Sequence, residues 1–236
     1  MILCPITRSQ LLTLMPRNGH VAEVGVAEGA FSEEIVRLCE PHRLTLIDPW
    51  EWQAREDYQN DANNADAQEQ QRRFEQVSGQ FADDPRVTIL RAYSTDAAST
   101  FADRQLDFVY IDALHTYDAV LADLRAFFPK VADDGLILGH DFANHPMAQQ
   151  MKFGVIEAVE TFLAESGCRM IALTNEIYPT FVLAKNPDGP TAQRLLAAIC
   201  YAVPNPVEID APPTRFRQRV IEVADRIRVI NGFTLD

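Results

Sequence analysis

Between residues 21 and 138 the chain alternates strand and helix five times. Apolar runs at 21–26, 43–48, 86–91, 106–112 and 136–138 read as buried strands. Amphipathic helical patterns lie between them, for example Phe31, Ile35, Val36 and Leu38, or Val120, Leu121, Leu124, Phe127 and Phe128. Sustained alternation of this kind predicts a doubly wound α/β fold, a parallel sheet with helices on both faces and right-handed crossovers. Another helical pattern covers 154–165. Two strands, 169–173 and 180–184, then follow with no helix between them, so an antiparallel hairpin is expected at the sheet edge.

The length of 236 residues suits one such domain with appended pieces. Residues 1–19 are expected to form a helical cap, ended by Pro16 and Gly19. The domain itself spans 20–186. Within it, 51–68 is polar and rich in Asn, Asp and Gln, with Trp52 and Tyr58 embedded. That composition fits a solvated loop or a substrate lid whose aromatics face a pocket. The extension 187–236 holds two helical patterns, 191–201 and 215–229, around a linker containing Pro204, Pro206, Pro212 and Pro213. The second is basic on its outer face. Its apolar side, Phe216, Val220, Val223 and Ile227, is expected to dock on the domain or on a second subunit. The second alternative would give a homodimer through the C-terminal helices.

The formal net charge of −13 argues against nucleic acid or an anionic membrane as the main partner, since both favour a basic face. No run of ~20 apolar residues marks a transmembrane helix. Cys4, Cys39, Cys168 and Cys200 are scattered without zinc spacing, and the chain reads as cytoplasmic with reduced thiols.

Strand, glycine turn and helix at 21–32 is an arrangement that holds nucleotide-like ligands, because glycine admits close backbone approach and the helix start offers free N–H groups. Gly25 and Gly29 are spaced GxxxG rather than GxGxxG, so the dinucleotide fingerprint is incomplete. Asp48 ends the second strand, 19 residues past Gly29, near the ~20-residue offset at which an acid meets ribose hydroxyls. Ligands of open α/β sheets bind outside the carboxyl ends of the strands. There the sequence places Glu23, Gly25, Asp48, Ser94, Asp112 with His115, and His140 with Asp141. Adjacent strands lie ~4.8 Å apart, so Asp112 and Asp141 on neighbouring strands would share a hard cation. An imidazole such as that of His115, titrating near ~6.5 when unperturbed, would accept a proton from a substrate hydroxyl.

These stretches resemble class I S-adenosylmethionine-dependent methyltransferases, which have a Rossmann-like fold with a seven-stranded sheet. The similarity is greatest to the metal-dependent O-methyltransferases of macrolide sugars and aminocoumarins. It runs from Val21 to Lys185 and is carried by Glu23-Val-Gly-Val-Ala-Glu-Gly29, Leu46-Ile-Asp-Pro-Trp50, Tyr110-Ile-Asp-Ala-Leu-His-Thr-Tyr117 and Gly135-Leu-Ile-Leu-Gly-His-Asp-Phe142. The resemblance implies that the 23–29 turn with Ser32 holds the methionine part of S-adenosylmethionine. It implies Asp48 on the ribose, Pro49 and Trp50 along the adenosine, and Ser94 beside the adenine. It also implies Asp112 as a magnesium ligand and His115 as the base. In that branch two consecutive acids complete the metal site, whereas this chain has His140-Asp141. Three alternatives follow: His140 points away and the two aspartates hold Mg, a softer divalent metal binds all three, or none binds. The implied reaction is methyl transfer to a hydroxyl of a small sugar- or phenol-type molecule. The competing expectations are an NAD-dependent oxidoreductase and a non-catalytic module that keeps the cofactor pocket.

Overall fold

The computed structural model describes residues 1–56, 58, 61, 63–224 and 226–234. Asp57, Gln59, Asn60 and Ala62, within the expected lid, lie outside the described residues, as do Asp225, Leu235 and Asp236 in the extension.

In chain order the strands and helices are β1 (Ile2–Cys4), α1 (Arg8–Leu12), β2 (His20–Val24), α2 (Ala30–Cys39), β3 (Arg43–Asp48), α3 (Ala67–Gln80) and β4 (Val87–Arg91). Next come α4 (Ser94–Ala98), β5 (Leu106–Ile111), α5 (Tyr117–Phe127), β6 (Val131–Gly139), α6 (Pro146–Gln150) and α7 (Val155–Ser166). The chain continues with β7 (Arg169–Thr174), β8 (Phe181–Ala184), α8 (Pro190–Ala202), β9 (Val207–Glu208), β10 (Phe216–Val223) and β11 (Arg226–Phe233).

The main sheet has the order β4-β3-β2-β5-β6-β8-β7-β1-β9. Strands β4, β3, β2, β5 and β6 are mutually parallel, and β8 runs antiparallel to both β6 and β7. The α/β, Rossmann-like, mostly parallel sheet is therefore as expected, but it has nine strands rather than seven. Strand β1 adds parallel to β7 and β9 adds antiparallel to β1, so the β7–β8 hairpin is not at the edge.

Alternate residues of each central strand feed opposite cores. Val21, Leu44, Leu46, Phe108, Tyr110 and Leu136 pack with α1, α2, α3 and α8. Ala22, Val24, Ile47, Val109, Ile111 and Ile137 pack with α4, α5 and α7. Burial on both faces explains why these strands read as continuous apolar runs.

Two expectations for the ends need correction. The N-terminal piece is not only a helical cap, since β1 joins the sheet before α1 starts at Arg8. The C-terminal extension is not all helical. Residues 216–233 form a β-hairpin, with Val220 opposite Val229 and Val223 opposite Arg226. Apolar residues at 216, 220, 223 and 227 satisfy a helical period. However, Val220, Ile221, Val223, Ile227, Val229 and Ile230 are all β-branched, and β-branched side chains favour the pleated surface.

Candidate active site

The strand ends are tied together by backbone bonds. The Gly25 N–H donates to the Ile47 carbonyl at 2.9 Å, and the Asp112 N–H donates to the Val24 carbonyl at 2.7 Å. Gly25 has φ +87°, and a Cβ there would sit 2.0 Å from the Asp112 carbonyl oxygen. Glycine is needed both for the left-handed backbone and for the approach of β2 to β5. Gly29, at φ +80°, caps the start of α2.

Asp48 braces the turn. Its Oδ2 accepts from the N–H groups of Val26 (2.9 Å) and Ala27 (3.0 Å), and its Oδ1 from Trp50 N–H (2.7 Å). Trp50 is buried, stacks near Phe74 and donates its indole N–H to the Ala27 carbonyl at 2.9 Å. It supports the turn from behind instead of lining the space in front of it.

That space is a cleft bordered by Gly25, Asp48, Pro49, Ser94 and Asp112. The loop after β3 adds Glu51, Gln53, Tyr58 and Asn63, and α3 adds Arg73. Glu23, Gly29, Ser32 and Trp50 do not border it. Glu23 is buried beneath the turn and accepts from the Ser32 hydroxyl. Burial lifts the Glu23 carboxyl to about 8, against the pull of the Ser32 bond and with a further push from Asp112. Ser94 stands at the start of α4 and donates to the buried carboxylate of Asp123 in α5. Burial raises Asp123 to about 6 even though Ser94 works against it.

A second, smaller cavity adjoins the cleft. Both are walled by Asp112, Ala113 and Leu114, and the second adds His115, His140 and Asp141. One donor atom from each of Asp112, His140 and Asp141 falls within 4.8 Å of the other two. His140 Nδ1 lies 3.4 Å from Asp112 Oδ1 and 3.1 Å from Asp141 Oδ1. Burial alone would lower the His140 pKa, but Asp112 and Asp141 outweigh it and hold the ring protonated, up to about 10. Burial likewise opposes the charge on Asp112, and His140 and Arg8 together keep it below the usual carboxylate range. His115 is buried against the Phe153 ring, 3.8 Å between centroids. Its Nδ1 is 3.8 Å from Asp141 and its Nε2 is 3.7 Å from Asp61, distances of charge proximity rather than of hydrogen bonds.

Arg8 and Asp61 escaped the sequence reading. The Arg8 guanidinium donates to Asp112 Oδ2 at 2.8 Å and to Tyr110 Oη at 3.2 Å, and lies 4.5 Å over the Phe31 ring. Its backbone N–H is held by Glu176 at 2.7 Å. The pairing of β1 with β7, which joins residues about 170 apart in the chain, carries the segment leading to Arg8 to the strand ends. Asp61 is one of several acids in the polar loop, and nothing local distinguished it.

Residues 22–142 match a family described as a methyltransferase domain, just over half of the chain. This chain belongs to that methyltransferase family. The match contains every residue of the two cavities except those beyond Asp141, and it leaves Arg8 outside. None of the curated proteins matches the chain. Among solved structures, the N-methyltransferase NodS from Bradyrhizobium japonicum WM9 aligns with a TM-score of 0.54 at 14% identity, over 75% of this chain and 92% of that one. A SAM-dependent methyltransferase from Aquifex aeolicus aligns with a TM-score of 0.51 at 14% identity, over 72% and 83%. At such identities the likeness is one of fold.

Proposed function

We propose that this methyltransferase takes its methyl group from S-adenosylmethionine and delivers it to a hydroxyl oxygen of a small sugar- or phenol-type acceptor. The observation that carries this reading is the shared wall of the two cavities at Asp112–Leu114. Gly25, Asp48 and Ser94 would hold the donor in the glycine-turn cleft, and His115 and Asp141 would face the acceptor in the adjoining cavity. The complex of NodS with S-adenosyl-l-homocysteine gives a precedent for ligand binding on this fold, at a TM-score of 0.53 and 15% identity.

The chemistry is a direct displacement. The acceptor O–H gives its proton to His115, an oxygen lone pair forms the new C–O bond, and the C–S bond breaks to leave S-adenosylhomocysteine. Asp141 on one side of the ring and Asp61 on the other favour the imidazolium that results. His140 is a poor base here because the two carboxylates already hold its proton. The enzyme supplies mainly orientation and electrostatic stabilisation.

Asp112, His140 and Asp141 fit a divalent cation by proximity and by donor type. Two carboxylates and one imidazole suit Mn or Fe better than Mg. A cation held there would acidify a hydroxyl placed beside it.

The test uses methyl-labelled S-adenosylmethionine with a panel of sugar and phenol acceptors. His115→Ala is expected to keep cofactor affinity within a few-fold and to lower transfer by about 10²–10⁴. Transfer by His115→Ala at the wild-type rate contradicts the assignment of the base.

A further inference from the structure

We infer that the β10–β11 hairpin is a docking arm that seats on the α8–β9 face of a second copy of this chain. The hairpin is a separate two-stranded sheet. Its base is fixed to the body. Phe216 is fully buried, and Gln218 accepts from the N–H groups of Asn144 (2.9 Å) and His145 (3.2 Å) while donating to the Ile177 carbonyl (2.8 Å) and to Asn231 (2.9 Å).

Beyond that base the strands leave the body with large apolar side chains in solvent. Val223 is 64% exposed and Ile227 71%. A lone two-stranded hairpin is at best marginally stable in water, and its free edges invite pairing. One face is a mixture of cations and aliphatics, with Arg219 opposite Ile230, Arg228 opposite Ile221 and Arg226 opposite Val223. Among the described residues no ion pair joins Arg219, Arg226 or Arg228 to a carboxylate.

The α8–β9 face has the complementary character. Tyr201 is 92% exposed and Val207 51%, and Glu208 and Asp210 lie exposed beside them. No ion pair among the described residues engages either acid. Strand β9 is also the end strand of the main sheet. Within one chain this face borders the hairpin base, where Glu208 and Asp210 share a cavity with Phe233 and Thr234. A two-fold axis beside that base would let two copies exchange arms in a closed, self-complementary contact.

Charge selects a second copy over a lipid or nucleic acid. Residues 215–234 carry a formal charge of +3, and the rest of the chain carries −16. Such a body is repelled by an anionic membrane or a phosphate backbone and attracts its own arm.

Sedimentation of the full chain tests this. The wild type is expected to dimerise with concentration, less so as salt rises. The double reversal Arg219→Glu with Arg228→Glu should raise the dimer Kd at least about tenfold, and so should Glu208→Arg with Asp210→Arg. Mixing those two variants should restore association with each other, which a folding defect in either would not allow. A monomeric wild type at low salt overturns the proposal, as does a dimer indifferent to both reversals. Arm-dependent binding to phosphatidylserine vesicles without self-association overturns it as well.

Discussion

Glu23 shows how a residue can sit inside a ligand-binding stretch and act from behind it. The sequence places it beside Gly25, and the fold buries it with Ser32 under the turn. Its folded pKa of about 8 lies above the ordinary 4.5. The native state therefore holds the proton while the unfolded chain releases it, and stability falls as pH rises through that window. Glu23→Gln removes this titration. Its melting temperature relative to wild type should climb between about pH 5 and pH 8, by the equivalent of a few kcal/mol. A difference constant with pH would contradict the burial argument. His140 couples metal binding to pH. A metal ion needs the neutral ring, so Mn²⁺ must displace a proton held with a pKa of about 10. Affinity measured by calorimetry should strengthen roughly tenfold per pH unit between about pH 6 and pH 8. Binding that is flat with pH would remove His140 from the ligand set.

At the scale of elements, a buried amide braces the loop after β3. Asn64 accepts from Gln53 N–H at 2.8 Å and donates to the Gln53 carbonyl at 2.9 Å and the Tyr58 carbonyl at 3.2 Å. Asn64→Ala leaves those groups without their partner, at a local cost of ~1–3 kcal/mol. S-adenosylmethionine affinity should drop about tenfold or more, because Gln53 and Tyr58 line the cleft, and the melting temperature should fall by about 2–10 °C. Unchanged affinity would mean that the loop is not part of the binding wall. The alternating elements were legible because each carries one period over its own length and meets its partners through apolar surface. The helix of residues 30–39 and the strand of residues 43–48 are examples. The hairpin was not legible. Its spacing also fits a helix, and the residue that anchors it, Gln218, does so through partners on three other segments, the farthest 74 residues away.

At the scale of the molecule, the strand ends gather the polar residues because the sheet is parallel. The sequence therefore pointed to Asp48, Ser94, Asp112, His115, His140 and Asp141, and the fold brings them to two adjoining cavities. What it could not convey was depth. Glu23, Ser32 and Trp50 belong to the same stretches, yet pack beneath the turn, since orientation is set by the sheet's two cores. Nor could it convey the nine-stranded sheet, in which β1 leads Arg8 to Asp112. Calorimetric titration with S-adenosylhomocysteine tests whether the larger cavity holds the methyl donor. One saturable site per chain, competed by S-adenosylmethionine and indifferent to NAD, is the predicted result. No saturable binding, or displacement by NAD, would contradict it.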